Sequence, residues 1–255
     1  GDENGAVAAL RDADVPIFIQ AYPDDLDKMA PASRRDSFCG KFSIMDVFYQ
    51  NGIRYTALKP HTVHPRSERF RQNIRYFDAV CRVVNGLRGM TVGAIGARTT
   101  AFKTVRIDEL ALQRHGITME TLDLSDVFAR MSAVRQDDVY RQKESALDRC
   151  GSWSEVPGDA KDKLVRLGVV LDQIIEEMQL DAIALRCWLE MQKQLGISPC
   201  VLLGELNNRG IAAACEVDIG NAIAMHALRL ATYSPAMCLD WNNNYGDDDD
   251  KCILF

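Results

Sequence analysis

Residues 212–218 read Ala-Ala-Ala-Cys-Glu-Val-Asp, and Ile219–Thr232 follows as IGNAIAMHALRLAT. Small apolar residues that run abruptly into carboxylates predict a buried strand, Ala212–Glu216, ending at a polar edge. Asp218 stands where a helix begins, and its carboxylate can accept the orphan amides of the first turn of Ile219–Thr232. A strand, a short link and a helix of crossover length form the repeating unit of a parallel sheet.

The same alternation extends in both directions. Further candidate strands are Val15–Ala21, Tyr55–Leu58, Thr91–Ile95, Thr118–Leu122, Ala182–Cys187, Ala236–Asp240 and Cys252–Phe255. Candidate helices are Lys41–Asn51 and Ser67–Leu87, with Phe70, Ile74, Phe77 and Cys81 at helical spacing, and Ile107–His115. Asp159–Gln179 is another, with Leu164, Leu167, Val170, Leu171, Ile174, Ile175 and Met178 in one stripe. Cys150–Gly158 carries Gly, Ser, Trp and Pro and reads as a loop. The expected fold is a doubly wound, mainly parallel α/β sheet with helices on both faces, Rossmann-like, plus the start of a further domain. In such sheets ligands bind beyond the carboxyl ends of the strands, so the residues there come first.

Bulk properties narrow the function. The 255 residues are 47% hydrophobic and 26% charged, with a formal net charge of −6. That balance speaks against a nucleic-acid surface or an anionic membrane as the main partner. The basic run Arg66–Arg75 reads as a solvated helix face. No apolar run approaches the roughly 20 residues of a membrane span. The eight cysteines are scattered without a CxxC pair, which suits reduced thiols in a cytoplasmic protein. Lys251–Phe255 reads as a strand without a following turn, and the chain is expected to continue beyond Phe255 and to begin before Gly1. Asp247–Lys251 spells an enteropeptidase site but reads as an acidic loop before that strand.

Two carboxylates end apolar strands. Glu216 closes Ala212–Glu216, and burial at such a place costs free energy unless a metal, a cation or several donors hold the charge. Asp240 closes Ala236–Asp240 and leads into Trp241-Asn242-Asn243-Asn244-Tyr245-Gly246. The crossover helix Ile219–Thr232 predicts that the two strands are parallel neighbours, which brings both carboxylates within reach of one ion. Two hard oxygen donors suit Mn²⁺ or Mg²⁺. The plain alternative is an Asx-turn at Asp240.

Cys215–Arg229 (CEVDIGNAIAMHALR) and Pro235–Asp247 (PAMCLDWNNNYGD) resemble segments of the L-fucose/L-arabinose isomerase-like family. So do Gly93–Arg106 (GAIGARTTAFKTVR) and Ala21–Lys41 (AYPDDLDKMAPASRRDSFCGK). The resemblance implies a metal-dependent aldose–ketose isomerase acting on a free sugar through an enediolate, with Mn²⁺ or another divalent metal such as Mg²⁺. It implies that Glu216 and Asp240 are both metal ligands and catalytic acid/base groups, and that a homo-oligomer (trimer or hexamer) forms from the full-length chain. It also implies a division into residues 1–20 (end of a preceding domain), 21–232 (second domain) and 233–255 (start of a C-terminal domain). The family's third metal ligand is a histidine, and none of the four histidines here matches its position. This polypeptide alone is therefore expected to be catalytically silent.

Other motifs are weaker. Gly93-Ala94-Ile95-Gly96-Ala97-Arg98 follows a strand, but its spacing is GxxG rather than GxGxxG, so close helix–strand packing is preferred to a dinucleotide site. His61 and His64 form a lone HxxH in a proline-containing loop and read as surface. His226 reads as a partly buried core histidine. Trp188 and Arg186, after the strand Ala182–Cys187, and Asn242 are candidate substrate-binding residues. Competing functions are a non-catalytic sugar-binding module on the same fold and, on the glycine loop alone, a nucleotide-dependent oxidoreductase.

Overall fold

The apolar runs around residues 91–95, 182–185 and 212–215 pair because each is too short and too uniformly buried to stand alone. A computed structural model describes residues 3–254 and shows how. In chain order the elements are α1 (Glu3–Leu10), α2 (Ser37–Gln50), α3 (Glu68–Leu87), β1 (Thr91–Ile95), α4 (Glu109–Arg114), β2 (Thr118–Leu122), α5 (Leu124–Ala133) and α6 (Asp138–Asp148). There follow α7 (Gly158–Glu177), β3 (Ala182–Leu185), α8 (Glu190–Leu195), α9 (Cys200–Asn208), β4 (Ala212–Cys215), α10 (Ile219–Thr232), β5 (Trp241–Tyr245) and β6 (Asp248–Leu254). By contacts the chain forms two compact units, Gly1–Arg82 and Val83–Phe255. The sequence reading cut it instead at 20/21 and 232/233.

In the second unit β1–β4 make a parallel sheet of order β2-β1-β3-β4. Alternation with period two divides its side chains cleanly between two faces. Ile183, Leu185 and Ala213 join one core with Leu164, Leu167, Val170, Leu171 and Ile174 of α7 and Leu202 and Leu206 of α9. Ala182, Ala184, Ala212 and Ala214 join the other with Ala222 and Met225 of α10. The α7 stripe is thus as expected, and each fully buried Leu or Ile contributes about 1.5–3 kcal/mol. The four alanines leave room for α10 to lie close to the sheet.

A charged group sits within the first face. Lys143 and Glu205 are both buried, and Lys143 Nζ lies 2.6 Å from Asp172 and 3.2 Å from Glu205. Arg209 completes the set at 2.5 Å from Asp172 and 2.7 Å from Glu205. Two cations and two anions balance, which is the condition under which buried charge is tolerable.

The first unit departs from expectation. Val15–Ala21 and Tyr55–Leu58 are not strands but make isolated parallel bridges, Phe18 with Thr56 and Ala21 with Thr62. Its small core of Val7, Phe48 and Ile53 comes mainly from α1 and α2. The expected strand Ala236–Asp240 is also absent: these residues are irregular, and the chain becomes extended only at β5, which pairs antiparallel with β6 alone. Of the expected Cys252–Phe255 strand, Phe255 lies outside the described residues.

Candidate functional site

Ladder hydrogen bonds hold β4 to β3 on one side, with Cys215 level with Leu185. On its other, open side the Ala213 N–H donates to Asn207 Oδ1 at 2.8 Å, and the Ala213 C=O accepts from Asn207 Nδ2 at 3.2 Å. Asn207 is buried. Its amide supplies the pair of bonds that another strand would have made, which stabilises an edge without inviting a neighbour. This explains why Asp240 does not arrive on a strand beside β4.

Past Cys215 the chain turns sharply. The Asp218 N–H donates to the Cys215 C=O at 3.0 Å, and the two residues between, Glu216 (φ 62) and Val217 (φ 59), both adopt left-handed backbone. Positive φ at both central positions is normally supplied by Gly, Asn or Asp, and a β-branched residue there is a clear outlier. Each costs on the order of 1–3 kcal/mol and persists only where its surroundings impose it. Those surroundings are visible. Val217 is buried with Ile219 and Ala222, and Asp218 caps α10 by accepting from Asn221 N at 2.9 Å and Asn221 Nδ2 at 2.7 Å. The cap expected from the sequence is therefore present.

The strained turn sets Glu216 at the carboxyl end of the sheet, half-buried. Desolvation first, then the charges of Asp240 and Asp218, raise its carboxyl above the usual glutamate range. Asp240 thus lies close enough for its charge to be felt at Glu216, although it arrives on an exposed irregular segment. Cys238 reports the same convergence: desolvation and the charges of Asp218, Asp240 and Glu216 raise its thiol. No three His, Cys, Asp or Glu side chains among the described residues are placed to hold a metal ion together. Two hard oxygen donors are what these residues offer a divalent cation, so they fit one in part.

At the next strand end, Cys187 lies near enough to Cys215 for the two thiols to perturb each other, and the Cys215 thiol lowers that of Cys187. Cys187 first and desolvation next raise the Cys215 thiol. Arg186 donates to the Ala97 C=O at 2.5 Å and lies 3.7 Å from Glu190, so it ties the ends of β1 and β3 together. Trp188 stacks on Phe102 at 5.1 Å and remains 39% exposed, while Thr99 Oγ1 donates to its carbonyl at 2.9 Å. Asn242 lies exposed in β5.

The glycine loop packs as the sequence suggested. A Cβ at Gly96 (φ +89) would stand 2.5 Å from Arg186 Cβ, and one at Gly93 would stand 2.6 Å from Leu180 Cδ1. Arg98 donates back to the carbonyls of Thr99 and Phe102 at 2.9 and 3.0 Å. The loop is filled by its own neighbours. His64 is occupied by Tyr22 Oη at 2.8 Å, and His61 lies between Phe38 and Phe42. His226 is buried, and desolvation lowers its pKa. An apolar cavity of about 300 Å³ is walled by Trp153, Leu164, Ile197 and Val201, with no charged residue in its lining.

Sequence reading missed Asn207 and the Cys187–Cys215 pair. Asn207-Asn208-Arg209-Gly210 looks like an ordinary helix end, which hides the edge-binding role. The thiol pair did have a signal, because Cys187 ends one candidate strand and Cys215 stands one residue before the end of the next.

Comparison with known proteins bears out the family resemblance. Residues 1–88 match the family model described as fucose/sulfoquinovose isomerase, N-terminal domain. A sulfoquinovose isomerase of Alkalicoccus urumqiensis is 27% identical over 222 residues, covering 87% of this chain and 49% of that protein. One from Priestia aryabhattai is 26% identical over 151 residues, 59% of this chain and 34% of the relative. One from Clostridium sp. (strain MSTE9) is 24% identical over 163 residues, with shares of 64% and 36%. The chain thus spans between about one third and one half of the length of these curated relatives.

Proposed function

We propose that this chain, related to the fucose/sulfoquinovose isomerases over much of its length, contributes proton-transfer carboxylates to an aldose–ketose isomerase. The observation that carries the reading is Glu216. It is held on a strained turn at the carboxyl end of a parallel strand, with its pKa raised by desolvation and by Asp240 and Asp218. Moving a hydrogen between C1 and C2 of a sugar needs a group that takes the proton and gives it back. Such a group works best when its pKa lies near working pH, and the raised carboxyl of Glu216 moves in that direction. Glu216 removes the proton at C2 of the open-chain aldose, the substrate becomes a cis-enediolate, and the proton returns at C1. Asp240 is the partner carboxylate.

A divalent cation, Mn²⁺ or Mg²⁺, is part of the proposal, with Glu216 and Asp240 as this chain's ligands. When bound it would supply positive charge against the enediolate oxygens and relieve the repulsion between the carboxylates. The proposed substrate is a free sugar, and the names of the relatives make a sulfonated hexose one candidate. The filled glycine loop removes the support for the nucleotide-dependent alternative.

Solvent-deuterium incorporation at C2 of an aldose tests the reading, measured on the complete protein with Mn²⁺ or Mg²⁺ supplied. Wild type should incorporate deuterium, and Glu216→Gln, which keeps volume and removes charge, should not. Incorporation by the Gln variant at the wild-type rate removes Glu216 from proton transfer. Absence of incorporation by wild type across aldohexoses, sulfonated ones included, removes the isomerase reading.

A further inference from the structure

We propose that the apolar cavity between the loop preceding α7 and the segment entering α9 binds a neutral, flat, one-ring aromatic molecule that carries a hydroxyl. The cavity measures about 300 Å³, and neither Glu216 nor Asp240 lines it. Its floor is Leu164 of α7 and Ile197, both buried members of the core that carries β3 and β4. Trp153 forms a wall and is fixed from two sides. Its Nε1–H donates to the Leu147 C=O at 3.0 Å, and Lys161 Nζ lies over the ring, 5.7 Å from its centroid. The indole N–H is thereby taken, and the wall offers a ligand π surface rather than a hydrogen bond.

The lining decides the class of ligand. It holds no charged side chain, so an ion entering it would lose water with nothing to replace it. Its polar side chains are Ser152 and Ser198, both exposed at the rim. Gln192 Nε2 donates to Ser198 Oγ at 3.4 Å, which leaves the Ser198 proton free to donate, while Ser152 shares a hydrogen bond with Ser154 at 3.1 Å. A sugar would press several hydroxyls against Leu164, Ile197 and Val156 with two serines to meet them, and each hydroxyl left over is costly. A single aromatic ring instead stacks on Trp153, covers the apolar floor and leaves one hydroxyl at the serine rim. Gly151 and Gly196 complete that rim, and a Cβ on either would meet nothing within 4 Å, so the way in is open.

The test is a titration of benzyl alcohol into the full chain labelled with ¹⁵N-tryptophan, followed by NMR. The chain has three tryptophans, Trp153, Trp188 and Trp241, so three indole N–H signals report, and Trp153→Phe identifies the one from the cavity. The Trp153 signal should shift and saturate while those of Trp188 and Trp241 stay in place. Benzoate, with the same ring and a charge, should bind weaker by about tenfold or more. Cyclohexylmethanol, of similar size without the π face, should also bind more weakly. Ala160→Phe and Val201→Phe each place a ring in the lining and should weaken benzyl alcohol by about tenfold or more, with circular dichroism showing that each variant is folded. Two variants are used so that a folding failure in one leaves the other to decide. The titration needs neither metal nor sugar, so it stands or falls apart from the isomerase reading. Absence of a saturable shift at Trp153 overturns the proposal, as does binding of benzoate or cyclohexylmethanol as tight as that of benzyl alcohol, or undiminished binding by a folded Phe variant. A Trp153 signal that moves on dilution of the ligand-free chain assigns the cavity to a second copy and overturns it as well.

Discussion

Replacing Asn207 by Leu should loosen the strand that delivers Glu216. The two side chains have the same number of heavy atoms and the same branching, so the change removes hydrogen bonds and leaves no cavity. In wild type the Ala213 N–H and C=O on the open side of β4 both end on Asn207, at 2.8 and 3.2 Å, and Ala213 is itself buried. With Leu in place, both backbone groups lose their partner away from water, at about 1–3 kcal/mol each. Burial of the added apolar carbon returns about 1–2 kcal/mol. The net loss is about 1–4 kcal/mol, and for a unit of this size Tm falls by roughly 2–4 °C per kcal/mol, so a drop on the order of 10 °C is expected. Circular dichroism during heating measures it, and hydrogen exchange places it, since the Ala213 amide should lose protection more than amides in β1. A Tm within about 2 °C of wild type, with Ala213 still protected, would refute the edge-binding role.

Lys143→Met should destabilise by about 3–5 kcal/mol in urea unfolding, because Asp172 and Glu205 would then face Arg209 alone. Adding Glu205→Leu should restore much of that loss, and a double variant as unstable as the single one contradicts charge imbalance as the cause. Asp218→Asn keeps a good N-cap for α10 and removes one charge near Glu216, so helix stability should hold while the Glu216 pKa, followed by carboxyl ¹³C shifts, falls. An unchanged Glu216 titration would show that the Asp218 charge is not felt there. The raised Glu216 carboxyl also fixes a sign. As pH rises past the ordinary glutamate range the unfolded chain loses this proton first, so stability falls until the folded group has titrated as well. Glu216→Gln should abolish that fall, and a pH–stability profile identical to wild type would contradict it.

The sheet was legible because its signals are local. Thr91–Ile95 and Thr118–Leu122 are found where the apolar runs placed them, and Asp218 caps α10 because the residue type and its position before an apolar helix suffice to say so. The short helices α5, α6, α8 and α9 were not read, since each depends on packing against a core made of other segments. Ala236–Asp240 misled for a related reason. Its apolar character resembles a strand, but pairing requires an open neighbour, and the open edge of β4 is taken by a side chain from α9. At Glu216 the residue type pointed to the site, while the left-handed backbone that aims it did not show, because neither Glu nor Val is a residue that announces such a turn.

The turn at 216–217 also bears on how this chain would respond to selection for heat resistance. Glycine at position 216 would release the strain of a left-handed backbone and delete a carboxylate that burial and like charge disfavour, while sacrificing little packing. Folding thus opposes this glutamate twice, by backbone and by charge. A library screened only for survival at high temperature should accumulate glycine at 216, whereas one screened for turnover should hold glutamate and acquire its stabilising changes elsewhere.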